Sequence, residues 1–333
     1  MPLLRRRGTA GGEPTKLFYA TDIHGSEVTW RKFLNAAKFY QVDGLVCGGD
    51  LMGKLLIPIV RDADGRQLAS LQGHEHTIEG PEELRAFTRR LETLGFYWRE
   101  FEPDEYASYA GNQDAIEVLF DELAKQRLAA WLELAEERLA GSPVRCYLTG
   151  GNDDTDEVLS VLDEFSGERV IAAENEVVEL GDGHTMASIG YSTPTPWNTP
   201  REASEEQIAE AIERLMAGVG DPSRCVFNFH VPPIDSGLDT CMKLDPSVWP
   251  PAPVIRNGQP VYFGAGSRSV AEAIERYQPV VGLHGHIHES RGTMRFGRTP
   301  AYNPGSEYGE GVLRGLIVSI RDGQLLGQQF TSG

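Results

Sequence analysis

Three of the eight histidines in the chain, His284, His286 and His288, directly follow an apolar run within the segment "PVVGLHG" at 279–285. Four other apolar runs end in the same way: "KLFYAT" (16–21) precedes Asp22 and His24, "GLVCGG" (44–49) precedes Asp50, "VRCYLTGG" (144–151) precedes Asn152 and Asp153, and "RCVFNF" (224–229) precedes His230. Functional groups gather at the carboxyl ends of strands in open α/β sheets. The pattern therefore predicts that these side chains converge on one site.

The predicted donors are carboxylates, imidazoles and one amide: Asp22, His24, Asp50, Asn152, His230, His286 and His288. This mixture suits Mn, Fe, Zn, Co or Ni better than Ca or Mg, which prefer oxygen donors, and better than a structural zinc site, which favours cysteine. Seven donors are too many for one tetrahedral ion but fit two ions that share a carboxylate. In an extended segment, residues 286 and 288 would point to the same side.

The segments between these runs predict helices near 27–39, 81–94, 113–140, 154–164, 203–218 and 268–277. Short strands that alternate with amphipathic helices are typical of an α/β architecture. At 333 residues, 40% of them hydrophobic, the chain is long enough to form one large domain of this class. We expect a lead-in without regular structure at 1–15 and a single domain at 16–333.

A formal net charge of −18 argues against a general nucleic-acid binder and against adsorption to anionic membranes. The arginine-containing start of the chain has no following apolar region, so it does not resemble a signal peptide. The four cysteines form no Cys-X-X-Cys pair, and three of them lie in apolar runs, which indicates small buried residues in a reduced protein. We therefore expect a cytoplasmic protein.

Five segments, in order, resemble the motifs of the calcineurin-like metallophosphoesterases: "DIHG" (22–25), "GGD" (48–50), "GND" (151–153), "FHVPP" (229–233) and "GHIH" (285–288). The resemblance spans about residues 16–320. Further segments, among them "STPTPWNTPRE" (192–202) and "NPGS" (303–306), resemble a small bacterial and archaeal phosphoesterase branch of that family.

The resemblance implies a four-layer αββα sandwich, in which two β-sheets are flanked by helices. It also implies that Asp22, His24, Asp50 and His288 hold one metal, and that Asp50 bridges to a second metal held by Asn152, His230 and His286. Two divalent or trivalent ions, Mn or Fe favoured, would then activate a bridging hydroxide that attacks phosphorus in line. The expected substrate is a phosphodiester or another small organic phosphate, with Asn152 stabilising the developing charge.

Asp153 departs from the family pattern, since many members carry a histidine at this position that is thought to protonate the leaving group. An aspartate is ionised at neutral pH and is a poor general acid, and nearby metal ions should lower its pKa further. Its charge would repel a dianion more than a monoanion, which favours diesters over monoesters. Alternatively, Asp153 turns outward, or binds a cation or hydroxyl of the substrate.

The stretch at about 53–143 is longer than the crossover needs and predicts a largely helical insertion that opens with a β-hairpin. It could form a cap over the site. Its aromatic residues Phe96, Tyr97, Trp98, Phe101, Tyr106 and Tyr109 could contact a nucleoside-like group, but packing within the insertion or in a dimer contact is the more common role.

Two other functions stay open at this stage. The fold could serve as a metallophosphoesterase-like scaffold without catalysis, although such a scaffold would have no reason to retain all seven donors. A nuclease is the second alternative, and the acidic charge argues against it.

Another histidine pair, His74 and His76, has no matching partners and predicts a solvated hairpin or loop. The sequence leaves the oligomeric state open, a homodimer included.

Overall fold

The computed structural model describes residues 13–109 and 111–333. Most of the predicted lead-in at 1–15 lies outside these residues, and Thr15 already begins the first strand. Within the described residues, the helices are α1 (Glu27–Tyr40), α2 (Gly80–Thr93), α3 (Pro103–Tyr109), α4 (Gln113–Leu139), α5 (Asp156–Asp163), α6 (Glu205–Met216) and α7 (Arg268–Tyr277), with short 3-10 turns at Pro222–Arg224 and Tyr308–Glu310.

The strands are β1 (Thr15–Ala20), β2 (Gly44–Cys47), β3 (Leu56–Arg61), β4 (Gln67–Leu71), β5 (His74–Ile78), β6 (Tyr97–Phe101), β7 (Arg145–Leu148), β8 (Val170–Ala172), β9 (Val177–Gly181), β10 (His184–Ile189) and β11 (Cys225–Phe229). They continue with β12 (Thr240–Met242), β13 (Leu244–Asp245), β14 (Ala252–Pro253), β15 (Ile255–Arg256), β16 (Gln259–Pro260), β17 (Tyr262–Gly264), β18 (Val281–Leu283), β19 (Gly292–Phe296), β20 (Thr299–Asn303), β21 (Arg314–Arg321) and β22 (Gln324–Ser332).

Two six-stranded sheets form the framework. The first has the order β22-β21-β1-β2-β7-β8, and the second has the order β19-β20-β18-β11-β10-β9. The strands that precede the predicted donors are parallel to one another within each sheet: β1, β2 and β7 in the first sheet, β11 and β18 in the second. Their carboxyl ends are therefore gathered at one edge of each sheet.

The two sheets share one apolar core. It contains Leu17 and Val318 from the first sheet together with Met186 and Leu283 from the second. The other face of the first sheet packs on α1, α4 and α5, around the stacked rings of Trp30 and Trp131. The other face of the second sheet packs on α6 and α7. The layers thus run helix, sheet, sheet, helix, and the predicted mixed α/β class is confirmed.

The predicted elements lie close to those of the structure. Each of the six predicted helices is present, with ends within about two residues of the prediction, a normal uncertainty for helix boundaries. The predicted strands are also present. The first has the predicted length but begins one residue earlier, at Thr15, and the other four are shorter, so that β18 ends at Leu283 rather than at residue 285. The β-hairpin predicted near 53–73 is confirmed as β3 and β4, which pair antiparallel.

The aromatic residues of the segment 95–112 pack among themselves and on neighbouring helices. Tyr97 is buried and contacts Phe120 of α4, while Phe101 contacts Tyr106 and Tyr109. Phe96 and Trp98 pack on the small core beneath the sheet β5-β4-β3-β6. The packing alternative is therefore confirmed for these residues. That the stretch 53–143 is an insertion with the role of a cap stays a prediction.

Among the described residues, no helix combines the length and apolar character that crossing a membrane requires. This includes α4, the longest helix, which carries charged side chains along its whole length.

Candidate metal centre

Four of the predicted donors lie together where β1 and β2 end. Asp22, His24, Asp50 and His288 each offer a ligand atom, and these atoms all lie within 4.8 Å of one another. His24 Nε2 is 3.4 Å from Asp50 Oδ2, and His288 Nε2 is 3.3 Å from Asp22 Oδ1. All but His288 are buried. A cluster of two carboxylates and two imidazoles at these distances can bind a metal ion.

The other three predicted donors also lie near Asp50. His230 Nε2 is 3.4 Å from Asp50 Oδ2 and 3.1 Å from Asn152 Oδ1. The ring of His286 is centred 5.5 Å from that of His230. The structure thus brings all seven residues together, and Asp50 contacts both His24 and His230. Their assignment as ligands, and the number and identity of the ions, stay predictions.

Four of the seven residues have left-handed backbones. The φ angles are +53° at Asp22, +43° at His24, +54° at Asp50 and +67° at His286. Such angles are uncommon outside glycine, because Cβ crowds the following carbonyl, and each costs on the order of 1–3 kcal/mol. Backbone strain of this kind clusters at functional sites, where the surrounding structure holds a side chain in a required direction.

Backbone contacts between the strand ends hold these conformations. The N–H of Asp22 donates to the Gly49 carbonyl (3.0 Å), and the N–H of His24 donates to the Asp50 carbonyl (2.9 Å). The N–H of His286 donates to the carboxylate of Asp22 (3.1 Å). The close approach of His230 also explains why residue 49 is a glycine, since a Cβ at Gly49 would lie 2.5 Å from His230 Nδ1. The loops are therefore packed against one another too tightly to move independently.

A contact with a backbone carbonyl fixes the orientation of the His230 ring. Its Nδ1 lies 2.9 Å from the carbonyl of Gly48, so Nδ1 carries the hydrogen and Nε2 faces the cluster. Ring nitrogens of metal-binding histidines are commonly oriented by such a backbone contact. His284 is different. It is buried in the core with Nδ1 2.8 Å from the Phe229 carbonyl, and burial lowers its pKa to about 4.

The charges in the cluster favour a bound cation. Burial opposes ionisation of Asp22, but His288 beside it lowers the pKa to about 2. Burial likewise opposes ionisation of Asp50, but His230 and His24 hold its pKa well below the usual range. Burial lowers the pKa of His286 to about 3, which keeps this imidazole neutral. Ionised carboxylates and a neutral His286 are in the protonation states in which these side chains bind metals. Burial opposes protonation of His230, but Asp50 beside it raises the pKa to about 10, so this imidazole has to lose a proton before it can bind a metal.

Two further observations fit a metal ion. The Nε2 atoms of His24 and His288 face each other at 3.1 Å, a distance at which two imidazole nitrogens share a proton or a cation. Nδ1 of His24 is buried and has no hydrogen-bond partner among the described residues. Buried polar atoms nearly always have partners. The donor set, the facing nitrogens and the unpartnered atom together fit one metal ion, or two that share Asp50.

One local prediction is wrong. His286 and His288 do not lie in an extended segment, because the strand ends at Leu283 and the chain turns through the left-handed backbone of His286. Both imidazoles still reach the cluster, through this turn rather than by alternation along a strand. The N-cap of α5 is Thr155, whose side chain accepts from the N–H of Val158.

Asp154 is buried and joins two loops. Its carboxylate accepts from the N–H groups of Leu51 (3.1 Å), Met52 (2.7 Å) and Gly151 (2.7 Å). A carboxylate that receives three backbone N–H groups replaces the hydrogen bonds these loops would otherwise lack. It therefore fixes the segment after Asp50 relative to the segment that carries Asn152.

Asp153 faces the cluster and forms an ion pair with Lys54. Lys54 Nζ lies 2.8 Å from Asp153 Oδ2, and Asp153 Oδ2 lies 3.8 Å from His24 Nδ1. Burial and the nearby Asp50 raise the pKa of Asp153 from its usual value in the chain alone. The alternative in which Asp153 turns outward is wrong. The predicted repulsion of a dianion treats Asp153 as unpaired, and Lys54 offsets that charge.

The amide of Asn152 is held by its neighbours. Its Nδ2 donates to Asp153 Oδ1 (3.1 Å) and to Thr199 Oγ1 (3.0 Å), which directs Oδ1 towards His230. Both N–H groups are engaged, so the amide can help a developing negative charge only if its contact with Asp153 opens. The predicted catalytic role of Asn152 therefore stays a prediction. Its amide oxygen faces His230 and is well placed to bind a metal ion.

Sequence reasoning missed three residues at the site. Lys54 follows Asp50 by four positions, and a lysine so close to a predicted carboxylate donor was a usable signal. The ring of Tyr308 packs at an angle of 49° to that of His24, with centroids 4.7 Å apart, and Thr199 accepts a hydrogen bond from Asn152. No local signal marks Tyr308, which approaches from a distant loop. Thr199 lies in the segment 192–202 that resembles the phosphoesterase branch, but no role was predicted for it.

No family model matches the chain. One curated protein, the uncharacterized protein MJ1162 of Methanocaldococcus jannaschii, is 29% identical over 156 residues, which cover 46% of this chain and 61% of that protein. The match thus spans about three fifths of that relative's length. The match indicates a distant relationship and assigns no activity to this chain.

Solved structures resemble the chain over nearly its whole length. One has a TM-score of 0.54 and 16% identity and covers 96% of this chain and 98% of its own. TT1561 of Thermus thermophilus has a TM-score of 0.53 and 13% identity with the same coverage, 96% and 98%. An archaeal phosphodiesterase reaches a TM-score of 0.33 at 9% identity, over 96% of this chain and 99% of its own, which is too low to support an argument. At these identities, the first two similarities show the fold alone.

Proposed function

We propose that the protein is a metal-dependent phosphoesterase of the calcineurin-like type, acting on a phosphodiester or another small organic phosphate. The observation that carries this proposal is the convergence of seven donors from five strand ends in two sheets, four of them on left-handed backbones. A non-catalytic scaffold would have no reason to hold such a strained and charged arrangement.

Asp22, His24, Asp50 and His288 would hold one ion, and Asn152, His230 and His286 would hold a second that shares Asp50. Bound metal ions would neutralise phosphate charge and make water a stronger nucleophile near neutral pH. The protein's own groups complement this chemistry. Lys54 offers N–H groups beside the candidate ligands, and its pairing with Asp153 leaves the pair without net charge.

The test is reconstitution of metal-free protein with Mn²⁺, followed by measurement of bound metal and of hydrolysis. We expect two ions per chain and metal-dependent hydrolysis of bis(p-nitrophenyl) phosphate, with p-nitrophenyl phosphate as the monoester comparison. Asp50→Asn keeps the shape of the side chain and removes its charge, so it should lose both metal and activity.

Three outcomes would be informative. Hydrolysis that disappears in Asp50→Asn supports the proposal. Tight metal binding with neither ester hydrolysed, extended to a panel of organic phosphates, would favour the scaffold over an enzyme. No metal uptake by the wild-type protein would contradict the site assignment itself.

A further inference from the structure

A cavity of about 470 Å³ lies beside the candidate metal centre. Its lining includes charged groups and predicted metal ligands, among them Asp50 and Lys54. It also includes the side chains of Trp197, Met242 and Phe263, which are largely apolar. Its volume falls within the range of about 300–1,000 Å³ that is typical of small-molecule sites. A cavity lined by both kinds of group matches a molecule that has a charged part and an apolar part.

The aromatic residues of this cavity are not part of a core. The exposed fractions of Trp197 and Phe263 are 48% and 41%, whereas Tyr97 and Phe101 of the segment 95–112 are exposed by only 2% and 4%. Single exposed aromatic side chains are common on protein surfaces. These two instead face the same cavity, next to a charged cluster, and can bury their apolar area against a ligand.

The loop that carries Trp197 is tied to the metal centre. The N–H of Trp197 donates to Thr195 Oγ1 (3.2 Å), and Thr195 donates to Glu202 Oε1 (2.6 Å). The same carboxylate oxygen accepts from the hydroxyl of Thr199 (2.9 Å), which in turn receives a hydrogen bond from Asn152. This chain of hydrogen bonds fixes the loop of Trp197 relative to a predicted metal donor.

The facing wall comes from a separate part of the chain. Phe263 lies on β17, directly opposite Cys241 on β12, so the two side chains share one face of this strand pair. Cys241 and Phe263 both line the cavity. Trp249 extends the aromatic surface, with its ring centred 6.3 Å from that of Trp197. Two loops that are far apart in sequence therefore supply aromatic groups to the same space.

We infer that this cavity binds the organic part of the substrate, and that this part is a flat aromatic or heteroaromatic group held against Trp197 and Phe263. The inference rests on the proposed function, which places the phosphoryl group at the metal centre. Aromatic rings on both partners add stacking to the burial of apolar area. The preferred substrates are then aryl or heteroaryl phosphate esters rather than alkyl ones.

The test compares two diesters with the same leaving group, phenyl p-nitrophenyl phosphate and methyl p-nitrophenyl phosphate. The ratio of their kcat/KM values isolates the second substituent, because charge and leaving group are equal. We expect Trp197→Ala and Phe263→Ala each to lower this ratio about tenfold, the loss of aromatic contact and buried area. Trp197→Phe should retain most of it. Phe39→Ala, at an exposed aromatic residue of α1, is the matched control and should leave the ratio unchanged.

A second measurement does not depend on turnover. Calorimetry of the Mn²⁺-loaded protein with phenylphosphonate and methylphosphonate should show tighter binding of the phenyl compound, and Trp197→Ala should remove the difference. If the wild-type protein hydrolyses both diesters with a ratio that neither alanine variant changes, the inference is overturned and the proposed function stands. If neither diester is hydrolysed but the phosphonate preference depends on Trp197, the aromatic selectivity of the cavity is supported and the proposed function is contradicted. If neither effect is seen, both are overturned.

Discussion

Two segments of the chain read Gly-His-X-His, at 73–76 and at 285–288. In the first, His74 and His76 lie on β5, where His74 is exposed and His76 packs on Phe87 with ring centroids 5.1 Å apart. In the second, the histidines follow β18 and join the donor cluster. The spacing of the histidines is identical, and only their place in the fold differs.

The difference teaches that a metal centre here depends on where a segment ends and not on its residue spacing. β5 belongs to a four-stranded sheet of its own, and the structure brings no carboxylate cluster to its histidines among the described residues. β18 is a parallel strand of the second six-stranded sheet, and the first sheet supplies Asp22 and Asp50 across from it. The carboxyl ends of strands from both sheets must come together before the motif acquires partners.

The largest expected effect separates the two histidine pairs directly. His286→Ala should lower the affinity for Mn²⁺ at least about a hundredfold, because it removes a predicted metal ligand rather than a residue that only orients a ligand. His76→Ala is the matched control and should leave metal affinity unchanged, with a loss of about 0.5–1 kcal/mol in the free energy of unfolding from its contact with Phe87. Calorimetric titration of both variants measures this. Equal metal affinities would show that position in the fold does not distinguish the two segments.

The glycines before each pair provide a finer test. A Cβ at Gly285 would collide with Thr21 and lie 2.7 Å from Asp22 Oδ2, whereas a Cβ at Gly73 would have no atom within 4 Å. Gly285→Ala should therefore displace Asp22 and weaken metal binding roughly tenfold to a hundredfold. Gly73→Ala, at a φ of +80°, should cost only about 1 kcal/mol of stability.

Thermal unfolding and metal titration of both glycine variants distinguish these outcomes. A Gly285→Ala protein that unfolds normally and binds metal with wild-type affinity would contradict the described packing of the loop on Asp22.

The smallest expected effect concerns Lys54, the cationic side chain that lies beside the donor cluster of the second segment. Lys54→Met should raise the KM for bis(p-nitrophenyl) phosphate by about tenfold, because a donor to the phosphoryl group is lost and Asp153 is left unpaired. Lys38→Met, at an exposed residue in the last turn of α1, removes the same charge far from the site and should have no effect. Steady-state kinetics of the two variants should differ, and identical KM values would remove Lys54 from the site.

The sequence predicted the framework well, and the reason is physical. Apolar runs and amphipathic periodicity depend on local residues, so the strand before Asp50 and the helix at 27–40 could be placed within a few residues. The convergence of the donors could be predicted because parallel strands of one sheet have their carboxyl ends at the same edge.

The remaining features depend on contacts between distant parts of the chain. The turn at His286 arises because its N–H binds the carboxylate of Asp22, which lies 264 positions earlier. The pairing of Lys54 with Asp153 and the meeting of Trp197 with the β12-β17 hairpin likewise bring together separate segments. The sequence pointed to aromatic residues in the segment 95–112, and the structure places the exposed aromatic wall elsewhere.

The left-handed backbones at Asp22, His24, Asp50 and His286 set stability against chemistry at the same positions. Replacement of any of them by glycine would relieve backbone strain, and at Asp22 or Asp50 it would also remove a negative charge from a crowded interior. Selection for stability alone would therefore remove the predicted metal ligands at these positions first and leave the sheets intact. A descendant of this chain could keep the fold, become harder to unfold and lose its candidate metal centre in a few substitutions.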